Sequence, residues 1–183
     1  MKNIFRILFL ILFTVFSFVF FSKSYEAQQT KLKAKAILYN PLGKKVGVVL
    51  FKQETSAVRI MVDIKNLQSG IHAFHIHEHG KCDFPDFQTS GGHFNPLNKE
   101  HGFLNPKGPH AGDLPNLEVN KNGTAYVEFE TGLVTLKLNA KNSLLNKNGT
   151  SVIIHENPDD YLTNPAGKGG KRIACGIIKE EME

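Results

Sequence analysis

Two histidines one residue apart, His75 and His77, sit in the alternating run A-F-H-I-H. Successive side chains of a strand point to opposite faces, so both imidazoles fall on one face, which suits two ligands of one ion. His93, His101, His110 and Asp113 follow within residues 80–116, a stretch rich in Gly, Pro and Asn, and His155 ends a later β-like run. Three or four neutral imidazoles suit copper or zinc, whereas three imidazoles with one carboxylate suit tetrahedral zinc. A single histidine in a half-buried strand is more commonly structural. Six of them with one aspartate are better accounted for by a metal centre. His72 and His79, the latter beside turn-forming Gly80, are assigned no chemistry.

Something must hold these groups in place, and the rest of the chain reads as β-structure. Residues 31–38 run K-L-K-A-K-A-I-L, with apolar side chains at every second position and charges between most of them, the mark of a half-buried strand. Residues 46–51, 58–64, 71–76, 125–129, 133–138, 152–155 and 173–178 follow in the same manner. N-P-L-G at 40–43 and N-K-N-G at 120–123 supply turn chemistry. Eight short strands without a helical period predict an antiparallel sandwich or barrel in one domain. Residues 80–116 are too long for an ordinary connection, so metal ligation and a covalent bridge are expected to order them.

The first residues have a different character. Lys2 and Arg6 precede an apolar run at 7–21 interrupted only by Thr14 and Ser17, the form of a secretory signal peptide. That run has 15 residues, where a membrane-spanning helix needs roughly 20, so no stable membrane anchor is expected. Cleavage after 24 or 27 would leave a mature domain at 28–183, exported to the periplasm or, alternatively, the extracellular space. In an oxidising compartment an even cysteine count implies pairing, so Cys82 and Cys175 are expected to form a disulfide. The formal charge of +5 is spread in pairs and triplets, which argues against a nucleic-acid partner.

These residues resemble the copper/zinc superoxide dismutases. The carrying motifs are Ala73-Phe-His-Ile-His77 with Gly80 and Cys82, Gly92-His-Phe-Asn-Pro96, His101-Gly102, and His110-Ala-Gly-Asp-Leu114. They continue with Ile153-Ile-His-Glu-Asn-Pro-Asp-Asp160 and Gly170-Lys-Arg-Ile-Ala-Cys-Gly176. The resemblance covers about residues 32–179 and fills every metal-binding position of the family.

It implies an all-β, Greek-key antiparallel sandwich or flattened barrel of about eight strands with long metal-binding loops. Copper would be held by His75, His77, His93 and His155, and zinc by His93, His101, His110 and Asp113. His93 would bridge the two ions and pass a proton. Asp159 would tie one ligand of each metal together, and Arg172 would receive the superoxide anion. The implied reaction converts superoxide to dioxygen and hydrogen peroxide through alternate reduction and oxidation of copper. Residues 161–171 carry no acid, and they place Lys168 and Lys171 beside the expected entry. With the signal peptide, this resembles the exported bacterial branch, as monomer or homodimer. Two other classes would read differently. A copper-buffering protein would want thioether or thiolate ligands, and a zinc hydrolase would need an open zinc position and a free carboxylate base.

Overall fold

The computed structural model describes residues 32–181; the expected signal peptide, residues 1–27, lies outside them. Among the described residues nine strands form: β1 (Lys33–Tyr39), β2 (Lys45–Gln53), β3 (Val58–Ile64), β4 (Gly70–His72), β5 (Phe74–His77), β6 (Leu117–Val119), β7 (Ala125–Thr131), β8 (Thr150–His155) and β9 (Arg172–Glu180). Seven of them make one antiparallel sheet in the order β5-β8-β9-β1-β2-β3-β7, and β4 pairs with β6 in a separate ladder. That ladder stands between the two edges of the large sheet, because β4 runs into β5 and β6 packs beside β7. The sheet thereby curls around one core. The last strand, β9, lies beside the first, β1, so the ends of the domain are stitched together by main-chain hydrogen bonds.

Alternation does in β1 what the sequence predicts. Ala34, Ala36 and Leu38 are fully buried, while Lys33, Lys35 and Ile37 look outward. The β1–β2 turn uses Asn40, whose Oδ1 accepts from the amides of Leu42 and Lys44 at 3.0 Å each, and Gly43 takes the left-handed φ of 73° that closes it.

Three elements differ from the sequence expectation. The run at 71–76 is two strands, broken at Ala73, whose amide donates to Asn157 O and whose carbonyl accepts from His155 N. The run at 133–138 is no strand of either sheet. Val134 and Leu136 are buried at alternate positions, but Thr135 meets Ser143 only in an isolated bridge, and Leu136 N donates to the side chain of Gln53. The three-residue β6 is too short to leave a periodic mark.

β8 is buried along its whole length. Val152 and Ile154 face the main core, while Ile153 faces outward into a small cluster with Phe87 and Cys175. Phe87 belongs to the long segment after β5, so that segment forms a second layer over the outer face of β5 and β8. It is held there by backbone bonds: Phe94 N donates to Ile76 O, Ile76 N to Gly112 O and Gly112 N to Phe94 O, each at 2.8 Å. Gly112 allows this approach, since a Cβ there would strike the carbonyl of Ile76. The Cys82–Cys175 disulfide, across a sequence separation of 93 residues, pins the layer to β9. Backbone bridging thus orders residues 80–116 together with the covalent bridge.

Candidate metal centre

β5 lays Phe74 and Ile76 into the core and turns His75 and His77 outward beneath the covering segment. Both imidazoles therefore share one face, as period two requires. The covering segment brings His93 opposite His77 and Asp113 opposite His75, and His155, at the end of β8, completes the group. The seven candidate ligands, His75, His77, His93, His101, His110, Asp113 and His155, are all buried and gathered in one place. His72 stays apart, its Nδ1 2.9 Å from the carbonyl of His155 and its Nε2 2.9 Å from that of Gln68. His79 is solvent-facing, 3.9 Å from Glu78.

The hydrogen bonds on the far side of each ring fix which nitrogen faces inward. His75 Nε2–H donates to Asp159 Oδ2 at 2.8 Å, His77 Nδ1–H to Gly91 O at 2.9 Å and His155 Nδ1–H to Gly170 O at 3.1 Å. The opposite nitrogens, His75 Nδ1, His77 Nε2 and His155 Nε2, together with His93 Nε2, are buried and have no hydrogen-bond partner. Four orphaned lone pairs lying within 4.8 Å of one another could serve as the donor set of a four-imidazole cation site. Unpaired buried nitrogens are costly unless something occupies the point they face. Burial, reinforced by the neighbouring imidazoles, pushes His77 well below its ordinary range and brings His93 to about 4 and His155 to about 3. All three are neutral at physiological pH, the form that binds metal.

A second set adjoins the first through His93. Around Asp113 Oδ1 lie His93 Nδ1 at 3.0 Å, His101 Nδ1 at 3.1 Å and His110 Nδ1 at 3.3 Å, and His110 Nδ1 is 3.4 Å from His93 Nδ1. Four ligands at zinc's bond length of about 2.0 Å in a tetrahedron would be about 3.3 Å apart, so this cluster fits that ion. His75 also lies near Asp113, His93 and His101, but its Nε2 is committed to Asp159 and its Nδ1 faces the first set. His110 Nδ1, which meets the same oxygen of Asp113, could serve as a fourth ligand there. Asp113 Oδ2 accepts from the amides of Gly102 and His110 at 2.9 Å each. Burial opposes ionisation of Asp113, yet the donors around it hold the carboxyl far below its usual range.

Asp159 spans the two sets, with Oδ2 on His75 and Oδ1 accepting from His101 Nε2–H at 2.9 Å. Gly167 packs against this contact, and any side chain there would strike Asp159 and His101. The sequence reading missed the clamp on Asp159: Asn116 Nδ2 donates to Asp159 O at 2.9 Å and its Oδ1 accepts from Asp159 N at 2.8 Å. Nothing in the spacing of Asn116 announces that role.

The first set opens into a cavity of about 310 Å³ whose lining includes His77, His93, His155, Gln88, Lys171 and Arg172. Arg172 is half-buried there, donating to Phe87 O, Ser90 Oγ and Gly91 O. Of the two lysines expected at the entry, Lys171 lines the cavity. Lys168 is drawn into an ion pair with Asp160 at 3.3 Å.

A curled antiparallel sheet carrying two adjoining imidazole-rich groups able to hold metal ions, with a guanidinium in the cavity beside one of them, is the architecture of a binuclear metalloprotein. A model of the family described as copper/zinc superoxide dismutase matches residues 45–178. The chain is 49% identical over 150 residues to superoxide dismutase [Cu-Zn] 1 of Aquifex aeolicus, covering 81% of this chain and 89% of that protein. The crystal structure of a superoxide dismutase-like protein from Bacillus subtilis superposes with a TM-score of 0.75 at 47% identity, over 78% of this chain and 96% of that one. Cu/Zn superoxide dismutase from Brucella abortus superposes at 0.65 and 31% identity, covering 80% and 99%. The chain belongs to the copper/zinc superoxide dismutase family.

Proposed function

We propose that this chain dismutes superoxide with copper held by His75, His77, His93 and His155, and with zinc held by His93, His101, His110 and Asp113. The observation that carries this reading is the set of four unpaired ring nitrogens, three of them on residues that line a cavity together with a fixed guanidinium. When bound, copper supplies a one-electron couple that takes an electron from one superoxide and returns it to the next, while zinc keeps one oxidation state and supplies fixed charge. Two superoxide anions and two protons become one dioxygen and one hydrogen peroxide.

The protein's own groups do the rest. Arg172 attracts and orients the small monoanion at the cavity base, its planar charge held by three acceptors. His93 shares its ring between the two ligand sets, Nε2 facing the first and Nδ1 facing Asp113. His93, whose Nε2 has no hydrogen-bond partner and which lines the cavity, would pass a proton to the reduced anion. Asp159 holds the Nε2 atoms of His75 and His101, which leaves their Nδ1 atoms to serve as the ligands that would hold the ions. Lys171 steers the anion from the rim.

The chain is made with residues 1–27 as a signal peptide and works in the periplasm, the extracellular space being the alternative; the Cys82–Cys175 disulfide suits either. All ligands come from one chain, so monomer and homodimer would be equally competent. The purified chain loaded with both metals should consume superoxide, lose that activity to a copper chelator, and regain it with copper but not with zinc. Activity that survives copper removal would refute the reading.

A further inference from the structure

Ser90 belongs to neither ligand set, yet it is completely buried at the end of the short 3-10 turn Gln88–Ser90. Its one hydroxyl proton goes to Phe87 O at 2.9 Å. The oxygen accepts from Arg172 Nη1 at 2.9 Å, and the same Nη1 donates to Phe87 O at 2.7 Å. Arg172 Nη2 donates to Gly91 O at 2.8 Å, the carbonyl that also takes the Nδ1 proton of His77 at 2.9 Å. The guanidinium is thus moored to one stretch, residues 87–91, on three acceptors that carry no charge. A carboxylate in this place would moor it more firmly and cancel the charge that an anion needs. A hydroxyl fixes the arm and leaves the charge available.

We propose that Ser90 is a positioning residue for Arg172: its hydroxyl sets the direction in which the guanidinium faces the cavity and so tunes the affinity of the site for a small anion. The inference rests on the reading of Arg172 as the anion-binding group. Replacing Ser90 by Ala removes one acceptor from Nη1 and leaves the other moorings, so the effect is partial.

The test titrates azide into copper- and zinc-loaded wild type, Ser90→Ala, Arg172→Ile and the double variant, following the visible absorption of copper. Metal content and melting temperature are measured in parallel. Ser90→Ala should weaken azide binding by about three- to tenfold, the scale of one ordinary hydrogen bond, with copper and zinc per chain unchanged. The same substitution made in Arg172→Ile should change nothing further, because a residue acting only through Arg172 has no effect once that side chain is gone. Wild-type azide affinity in Arg172→Ile would overturn the anion reading and this proposal with it. If Arg172→Ile binds weakly, two results overturn the proposal alone: Ser90→Ala that binds as wild type, or one that weakens binding equally in both backgrounds. Loss of copper from Ser90→Ala would also overturn it, since Ser90 Oγ lies 3.4 Å from His77 Nδ1 and would then be serving the ligand.

Discussion

Removing the metals should give this protein an alkaline instability that the loaded form lacks. In the metal-free fold His101 has a carboxylate at each ring nitrogen, Asp113 Oδ1 at 3.1 Å and Asp159 Oδ1 at 2.9 Å. Burial would lower this imidazole, but the two carboxylates outweigh burial and raise it to about 9. An unfolded histidine titrates near 6.5. Between these values the folded state binds the extra proton, so the stabilisation is complete below pH 6.5 and is lost as pH rises through 9. At 1.36 kcal/mol per unit the loss comes to about 3 kcal/mol by pH 9. Zinc held by the proposed second set would take the place of that proton, so the loaded protein should show no such decline. On the acid side the sign is opposite: His93 and His155 are lowered to about 4 and about 3, so the stripped fold should also weaken as pH falls from 6.5 toward 4. Guanidinium chloride unfolding at pH 6.5, 7.5 and 9, disulfide intact, compares chelator-stripped with loaded protein. Asp159→Asn, which leaves His101 one carboxylate, should shrink the alkaline loss. A stripped protein as stable at pH 9 as at 6.5, or a loaded one that declines equally, would refute the reasoning.

Further outcomes follow from the same geometry. His93→Ala should lower both copper and zinc per chain, whereas Asp113→Ala should release mainly zinc; elemental analysis decides, and equal loss of both from each variant would contradict the division of ligands. Cys175→Ser opens a bridge across a separation of 93 residues, worth on the order of 4 kcal/mol in the loop-closure model, and should lower the melting temperature and speed proteolysis within residues 80–116. Arg172→Ile should reduce the second-order rate with superoxide at unchanged copper content, as pulse radiolysis would measure. Lys171→Gln should flatten the fall of that rate with salt, while Lys168→Gln, already paired with Asp160, should leave the salt slope near that of wild type.

Much of this centre was legible in the sequence because its chemistry depends on spacing. His75 and His77 share a face for the reason that any residues i and i+2 of a strand do, and the intervals among His93, His101, His110 and Asp113 carry the resemblance to the family. Backbone routing was less legible. The alternation at 133–138 correctly marks Val134 and Leu136 as buried, but burial at period two does not require a ladder partner, and here the side chain of Gln53 takes that part. The break at Ala73 depends on hydrogen bonds with residues 155 and 157, more than eighty positions away. Asn116 and Ser90 act through contacts with Asp159 and Arg172 that no local pattern records. The pairing of Lys168 with Asp160, eight positions away, is likewise not recorded in a charge count.

The most direct measurement is pulse radiolysis of superoxide decay while copper is added stepwise to the purified zinc-loaded chain. The expected result is a rate per chain that climbs linearly and breaks at one copper, with no climb in His155→Ala over the same additions. A zinc-loaded chain that already removes superoxide at full rate, or one that gains nothing from a full equivalent of bound copper, would contradict the reading of this site.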